Sequence, residues 1–198
     1  KAWLVPSIQQ ATLYQVTRRV YHYLLDVIVP VSLADIGTTL DFERRYVDLV
    51  IKWCEDIEPL PNGRVQVTLA RLPNAQDKAY RILCQHGEPM HIREITRQIG
   101  EVKRHTVSIE LTSDARFEPI GMSGKWTLAS WEGICRKTAI SLIREFFEMK
   151  QNIATIDEVA GYVKSRRPDV LLTTVKSYMN YRPDQFIKMP DGRFTPGP

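Results

Sequence analysis

Apolar and polar positions along this chain recur in one order three times. In the middle stretch Ala79, Ile82 and Leu83 fall at helical spacing and Gly87 follows as a turn. Met90-His91 then reads as a short strand and Ile92 to Ile99 as a second helix. A third helix begins at Thr106-Val107 and runs through Leu111. The turn Gly121-Met122-Ser123-Gly124 leads into a returning strand with Trp126 and Leu128. The last stretch repeats this: Ala139, Leu142 and Ile143 form the first apolar stripe, and Thr155 to Lys164 the second helix, with Thr155 placed to cap it ahead of Asp157 and Glu158. Its hairpin turn is Pro190-Asp191-Gly192. A single shift of 68 residues carries Val107, Leu111, Gly124 and Trp126 onto Val175, Met179, Gly192 and Phe194.

The first stretch is fainter but in register, since Val47, Ile51 and Ile57 precede Val107, Leu111 and Phe117 by 60 residues each. Val20, Tyr23, Leu24 and Val27 mark its first helix, which Pro30 ends. Val31-Ser32-Leu33 predicts a short strand, and Ser32 or Asp35 a cap for the helix carrying Leu33, Ile36 and Leu40. A third helix is expected from Asp41 to Asp56 with Val47, Val50, Ile51 and Trp53 inward. Pro61-Asn62-Gly63 predicts a tight turn, and Val65, Val67 and Leu69 the returning strand.

Helix, strand, helix, helix, hairpin is an order that resembles a winged helix-turn-helix. Three copies predict an α+β chain, mainly helical with small β-hairpin wings, divided as 1–73, 74–135 and 136–198. About 60 residues is near the lower limit for a core that folds alone, so the copies are expected to pack on one another.

Of the 198 residues, 43% are hydrophobic and 25% charged, as in ordinary globular chains. No apolar run approaches the roughly 20 residues of a membrane helix, and no secretory leader is visible. Lys1, standing where a Met would, fits a piece of a longer protein. Cys54, Cys84 and Cys135, odd in number and far apart along the chain, point to reduced core thiols and a cytoplasmic setting. The net charge of +4 lies in the last copy: residues 1–73 and 74–135 each carry 8 basic and 8 acidic residues, whereas 136–198 carry 11 and 7. A basic excess there suits a polyanion.

In a winged helix the third helix enters the major groove and the wing touches the neighbouring backbone. The middle copy offers Lys103, Arg104, His105, Thr106 and Ser108 on that helix and Lys125 on the wing. The last offers Lys164, Arg166 and Arg167 in the turn, Thr173, Thr174 and Lys176 on the helix, and Arg193 in the wing. In the first copy Asp41, Glu43 and Asp48 surround Arg44 and Arg45, so that copy is expected to contact protein. Trp126 and Phe194 stand at equivalent places on the returning strands, which favours core packing over base stacking. Neither basic third helix has an Arg, Asn or Gln in its base-facing stretch, so little sequence discrimination is expected. Cys84, His86, His91 and His105 match no compact zinc spacing. Glu101-Val102-Lys103 and Glu148-Met149-Lys150 have the E-x-K order of metal nucleases, but no acidic residue on a preceding strand completes either. No Gly-rich phosphate loop, G-x-S-x-G or H-E-x-x-H is present. No metal, cofactor or catalytic residue is therefore expected.

Residues 76–131 resemble the HARE-type winged helix-turn-helix, a family related to the amino-terminal domain of the bacterial RNA polymerase delta subunit. Gly87-x-Pro89-Met90-His91-x-Arg93-Glu94-Ile95, Thr106-Val107, Asp114-x-Arg116-Phe117 and Gly124-x-Trp126-x-Leu128-x-x-Trp131 carry the resemblance. Residues 137–196 keep less of it, with Thr155-Ile156-Asp157-Glu158-Val159, Thr174-Val175, Phe186 and Gly192-x-Phe194, and put Pro196 where the finishing Trp would stand. The resemblance implies work on duplex DNA, in transcription or fused to DNA-modifying and restriction modules, with RNA polymerase or a DNA-modifying protein as partner. It supplies no catalytic residue. Three readings follow: a non-catalytic DNA-binding protein, a protein-interaction scaffold in a transcription complex, and the recognition part of a restriction enzyme.

Overall fold

The computed structural model describes residues 10–100, 102–150 and 153–197. The protein is mixed α+β with small antiparallel sheets. Its residues gather into two compact units divided between Phe117 and Glu118, so the division falls inside the second sequence repeat.

In the first unit, α1 (Gln10–Val27) buries Val16, Val20 and Leu24, one turn apart, on a single face. It ends where Ile28 takes a left-handed φ of 66°, two residues before Pro30. β1 (Val31–Ser32) follows, and the Ser32 hydroxyl accepts the Asp35 N–H at 3.1 Å to cap α2 (Leu33–Leu40). α3 is shorter than the sequence predicts, Arg44–Trp53, and points Val47 and Val50 inward. Trp53, expected inward, is 57% exposed. It lies six residues beyond Val47, which turns it about two-thirds of a revolution from the buried face. β2 (Ile57–Pro59) and β3 (Arg64–Val67) pair antiparallel, and β1 joins the other edge of β3, Val31 opposite Val65. At the turn the Asn62 side chain accepts the Arg64 N–H, and Gly63 supplies the φ of 72° that this hairpin requires. The strand stops at Val67; Leu69, expected in it, begins a 3₁₀ turn, Leu69–Arg71.

α4 (Ala75–His86), capped by Asn74, buries Ala79, Ile82 and Leu83. Arg81 on the same helix is also buried, at 1% exposure. Its Nε donates to the Ile28 carbonyl at 2.6 Å and its Nη1 to the Val67 carbonyl, so α4 is clamped to the first repeat. Gln85 extends the seam to the buried Gln66, whose amide reaches Glu58. Burial pulls the Arg81 guanidinium below its ordinary value, and Nη2 has no partner among the described residues.

β4 (Met90–His91) and α5 (Ile92–Ile99) stand where the sequence puts them, and His91 Nδ1 accepts the Arg93 N–H at the helix start. α6 (Arg104–Thr112) buries Val107 and Leu111. The Asp114-x-Arg116 pair that follows is a staple: Arg116 grips Asp114, reaches Asp77 on α4 at 2.8 Å and lies over the Tyr80 ring. The guanidinium beside Asp114 holds its carboxyl below the ordinary value. The stabilisation from that carboxylate is therefore full above the unfolded carboxylate range near about 3.9 and is lost as pH falls through the depressed folded value. Asp114→Asn is expected to flatten the acid limb of the stability curve, read by urea unfolding between neutral and acid pH; an unchanged limb would exclude this role.

The second unit begins at Glu118, inside β5 (Phe117–Pro119), and turns back into β6 (Lys125–Leu128). Its turn is packed rather than free. The Gly121 N–H donates to the Arg136 carbonyl at 3.0 Å, and a Cβ there would stand 3.1 Å from the Thr138 backbone and 3.0 Å from the Arg167 guanidinium. With φ at 52°, only glycine suits the position. Arg136 returns the contact, pairing with Glu118 and donating to the carbonyls of Leu128, Ala129 and Trp131. α7 (Ala139–Lys150), α8 (Ile156–Arg166) and α9 (Leu172–Tyr181) enclose a core of Leu142, Ile143, Phe146, Phe147, Val159, Val163, Val175 and Met179. Thr155 and Glu158 form the expected capping box of α8. β7 (Phe186–Lys188) pairs with β8 (Phe194–Pro196), and Ala154 bridges Phe194, matching the place of β1 in the first repeat. Pro196 ends that strand.

Val47, Val107 and Val175 are all buried at the same place on α3, α6 and α9. Trp126 and Phe194 are buried in their hairpins. The three cysteines are free and half-buried; Cys54 packs against the core of the first repeat and Cys135 against that of the last. No helix among the described residues is long and apolar enough to cross a membrane.

Candidate nucleic-acid interface

The helices of this protein differ in how they begin. Ser32, Asn74, His91 and Thr155 cap α2, α4, α5 and α8 with a side chain. By contrast α3, α6 and α9, the third helix of each repeat, open at Glu43, Lys103 and Leu171 with no side-chain cap. An uncapped first turn presents N–H donors and the positive end of the helix dipole to whatever lies beyond it.

What surrounds the three ends differs. At α3, Arg45 pairs with Glu43 at 2.9 Å and Arg44 lies 3.9 Å from Asp48, so its cations are answered locally. At α6, Lys103, Arg104, His105 and Thr106 are all exposed, and no described carboxylate pairs with Lys103 or Arg104. Ser108, one turn on, is half-buried. At α9, Leu171 is 67% and Leu172 43% exposed, with Thr173 beside them.

The other expected contacts lie in the second unit. Lys164 and Arg166 are exposed on the last turn of α8, which runs two residues further than expected, and Arg166 sits 3.8 Å over the Tyr162 ring. Lys176 is exposed on α9. Arg193 is exposed at the β7–β8 turn but paired with Asp191 at 2.7 Å. Lys125, expected on the wing, and Thr174 are half-buried and line one cleft, and the β5–β6 turn is packed against residues 136–138.

Arg167 is a correction. Expected at a solvated turn, it is 5% exposed, chelating Asp169 through Nε and Nη2 at 2.7 and 2.6 Å while Nη1 donates to the Lys137 carbonyl at 2.8 Å. All three donor groups point into the protein, so Arg167 is unavailable to a phosphate. The same pairing holds the Asp169 carboxyl below its ordinary value. Arg167→Ala strips the fork from Asp169 and from a backbone carbonyl, a loss expected to cost about 3 kcal/mol. Urea unfolding checks this, and a change under about 0.5 kcal/mol, the scale of an ordinary surface substitution, would return Arg167 to the surface set.

Among the described residues no group of three or more His, Cys, Asp and Glu side chains could hold a metal ion. Glu101 of the first E-x-K triplet lies outside the described residues. The chain matches no protein-family model, and a search of curated proteins returns no match.

Proposed function

We propose that this chain is a non-catalytic DNA-binding protein built from three tandem winged helix-turn-helix units, with the third helix of the middle unit as its principal grip on duplex DNA. One observation carries the reading: the uncapped start of α6 coincides with exposed Lys103, Arg104, His105 and Thr106. Oriented N–H donors and adjacent cations are what a phosphate oxygen needs, and the hydroxyls beyond them can reach base edges with little discrimination. The thrice-repeated element order and the HARE-type resemblance support the same reading and suggest a role in transcription or DNA modification. The first repeat, whose α3 cations are self-paired, serves as a docking module. The exposed leucines opening α9 favour a second, scaffold-like role for the last repeat.

An electrophoretic-shift titration on random duplex at two salt concentrations tests this. Each phosphate contact contributes about 0.9 to the slope of log affinity against log salt, so several contacts give a steep fall. Absent binding, or binding indifferent to salt, would overturn the proposal. Selection from random duplexes is expected to return no sharp motif.

A further inference from the structure

The start of α9 is the least expected surface on this molecule. Leu171 and Leu172 face solvent where a hydroxyl or charged group ordinarily begins a helix. Leu171 forms a ridge between two depressions. One, of about 500 Å³, is lined by Ala139, Val170, Thr174, Tyr178 and Met122, the last 87% exposed on the β5–β6 turn. The other, of about 310 Å³, is lined by Ala160, Pro168, Val170, Leu172 and Val175. Arg167, locked to Asp169 and Lys137, lies in the wall of the first depression and fixes its shape.

The charges beside this ridge are mostly of one sign. Lys125 lines the first depression and Lys164 the second, and neither is paired among the described residues. Lys176 follows Leu172 by four residues and so stands on the same side of α9. Asp169 is neutralised by Arg167, which leaves Asp157 as the acidic group of the lining. The uncapped end of α9 adds the positive end of its dipole.

We propose that this surface docks an acidic peptide segment of a partner protein, which seats one apolar side chain in each depression and sets carboxylates against Lys125, Lys164 and Lys176. Two apolar seats within a basic surround complement a segment that alternates bulky apolar residues with Asp or Glu. A nucleic-acid backbone would satisfy the lysines but leave Leu171, Leu172 and Met122 against hydrated phosphates.

Display of random peptides about a dozen residues long, some three helical turns, against the full chain tests this. Selected sequences are expected to be rich in Asp and Glu with Leu, Phe, Trp or Met. A synthetic copy of the best is expected to bind the full chain and to lose about tenfold to hundredfold in affinity with Leu171→Ser/Leu172→Ser. Lys164→Glu is expected to weaken it as well. Both leucines are solvent-facing, so circular dichroism should remain native; Met122→Ser, still more exposed, supplies an independent variant with the same expected direction. Failure to enrich any sequence, enrichment of basic or uncharged sequences, or undiminished binding by the leucine and methionine variants would overturn the proposal. So would loss of random-duplex binding by the leucine variant, which would assign the surface to nucleic acid.

Discussion

Replacing Lys103 and Arg104 together with alanine is expected to lower affinity for random duplex DNA by about tenfold to hundredfold at moderate salt. It should also flatten the salt slope by about 2, one for each phosphate contact removed. Both side chains are exposed at the start of α6, and no described carboxylate holds them, so among the described residues nothing competes with a phosphate for either. Their removal touches no core residue, and the unfolding midpoint should stay near that of the parent. The matched control is Arg44→Ala/Arg45→Ala, the same change at the corresponding end of α3, where Glu43 and Asp48 already answer the cations. That control should leave both affinity and slope nearly unchanged. Equal losses from the two double variants would mean that overall charge, not the end of α6, governs binding. No loss from the first would remove α6 from the interface.

Arg81→Ala is expected to destabilise the first unit by about 3–5 kcal/mol. The guanidinium serves two carbonyls from separate parts of the first repeat, at Ile28 and Val67, and its removal leaves both facing a void. Arg81→Met should cost less, because it keeps most of the volume and also removes a buried charge that carries an unpartnered Nη2. Urea unfolding of the two variants separates these contributions. A loss under about 1 kcal/mol for the alanine variant would mean that the clamp contributes no more than an average contact.

Periodicity in the sequence located most helices, the turns at Gly63 and Gly192, and the buried valine common to α3, α6 and α9, because each is set by spacing within one segment. It placed Trp53 on the wrong face, since a single large apolar residue at a helix end does not by itself report direction. The exposed basic cluster of α6 was legible for the same local reason. Arg167 was not: whether an arginine faces water depends on what a distant segment supplies, here the Lys137 carbonyl. A local cue existed, for Arg167-x-Asp169, Asp114-x-Arg116 and Asp191-x-Arg193 all place opposite charges two residues apart, and all three pair in the fold. The first two arginines also reach a distant segment, at Lys137 and Asp77, whereas the third pair stays exposed. Arg81 gave no cue, because a lone arginine on an apolar helix face reads as a solvated residue until its carbonyl acceptors are known.

The packed turn at Gly121 bears on how this protein can be cut. The stretch that repeats in the sequence is not the stretch that holds together mechanically. A fragment starting at Arg136, the boundary suggested by the repeat, would discard Glu118 and the carbonyls of Leu128, Ala129 and Trp131, the acceptors its own first residue uses. It would also bare the flank of Arg167 that the turn now covers. Fragments meant to isolate the last repeat should therefore carry the preceding hairpin with them, beginning near Glu118.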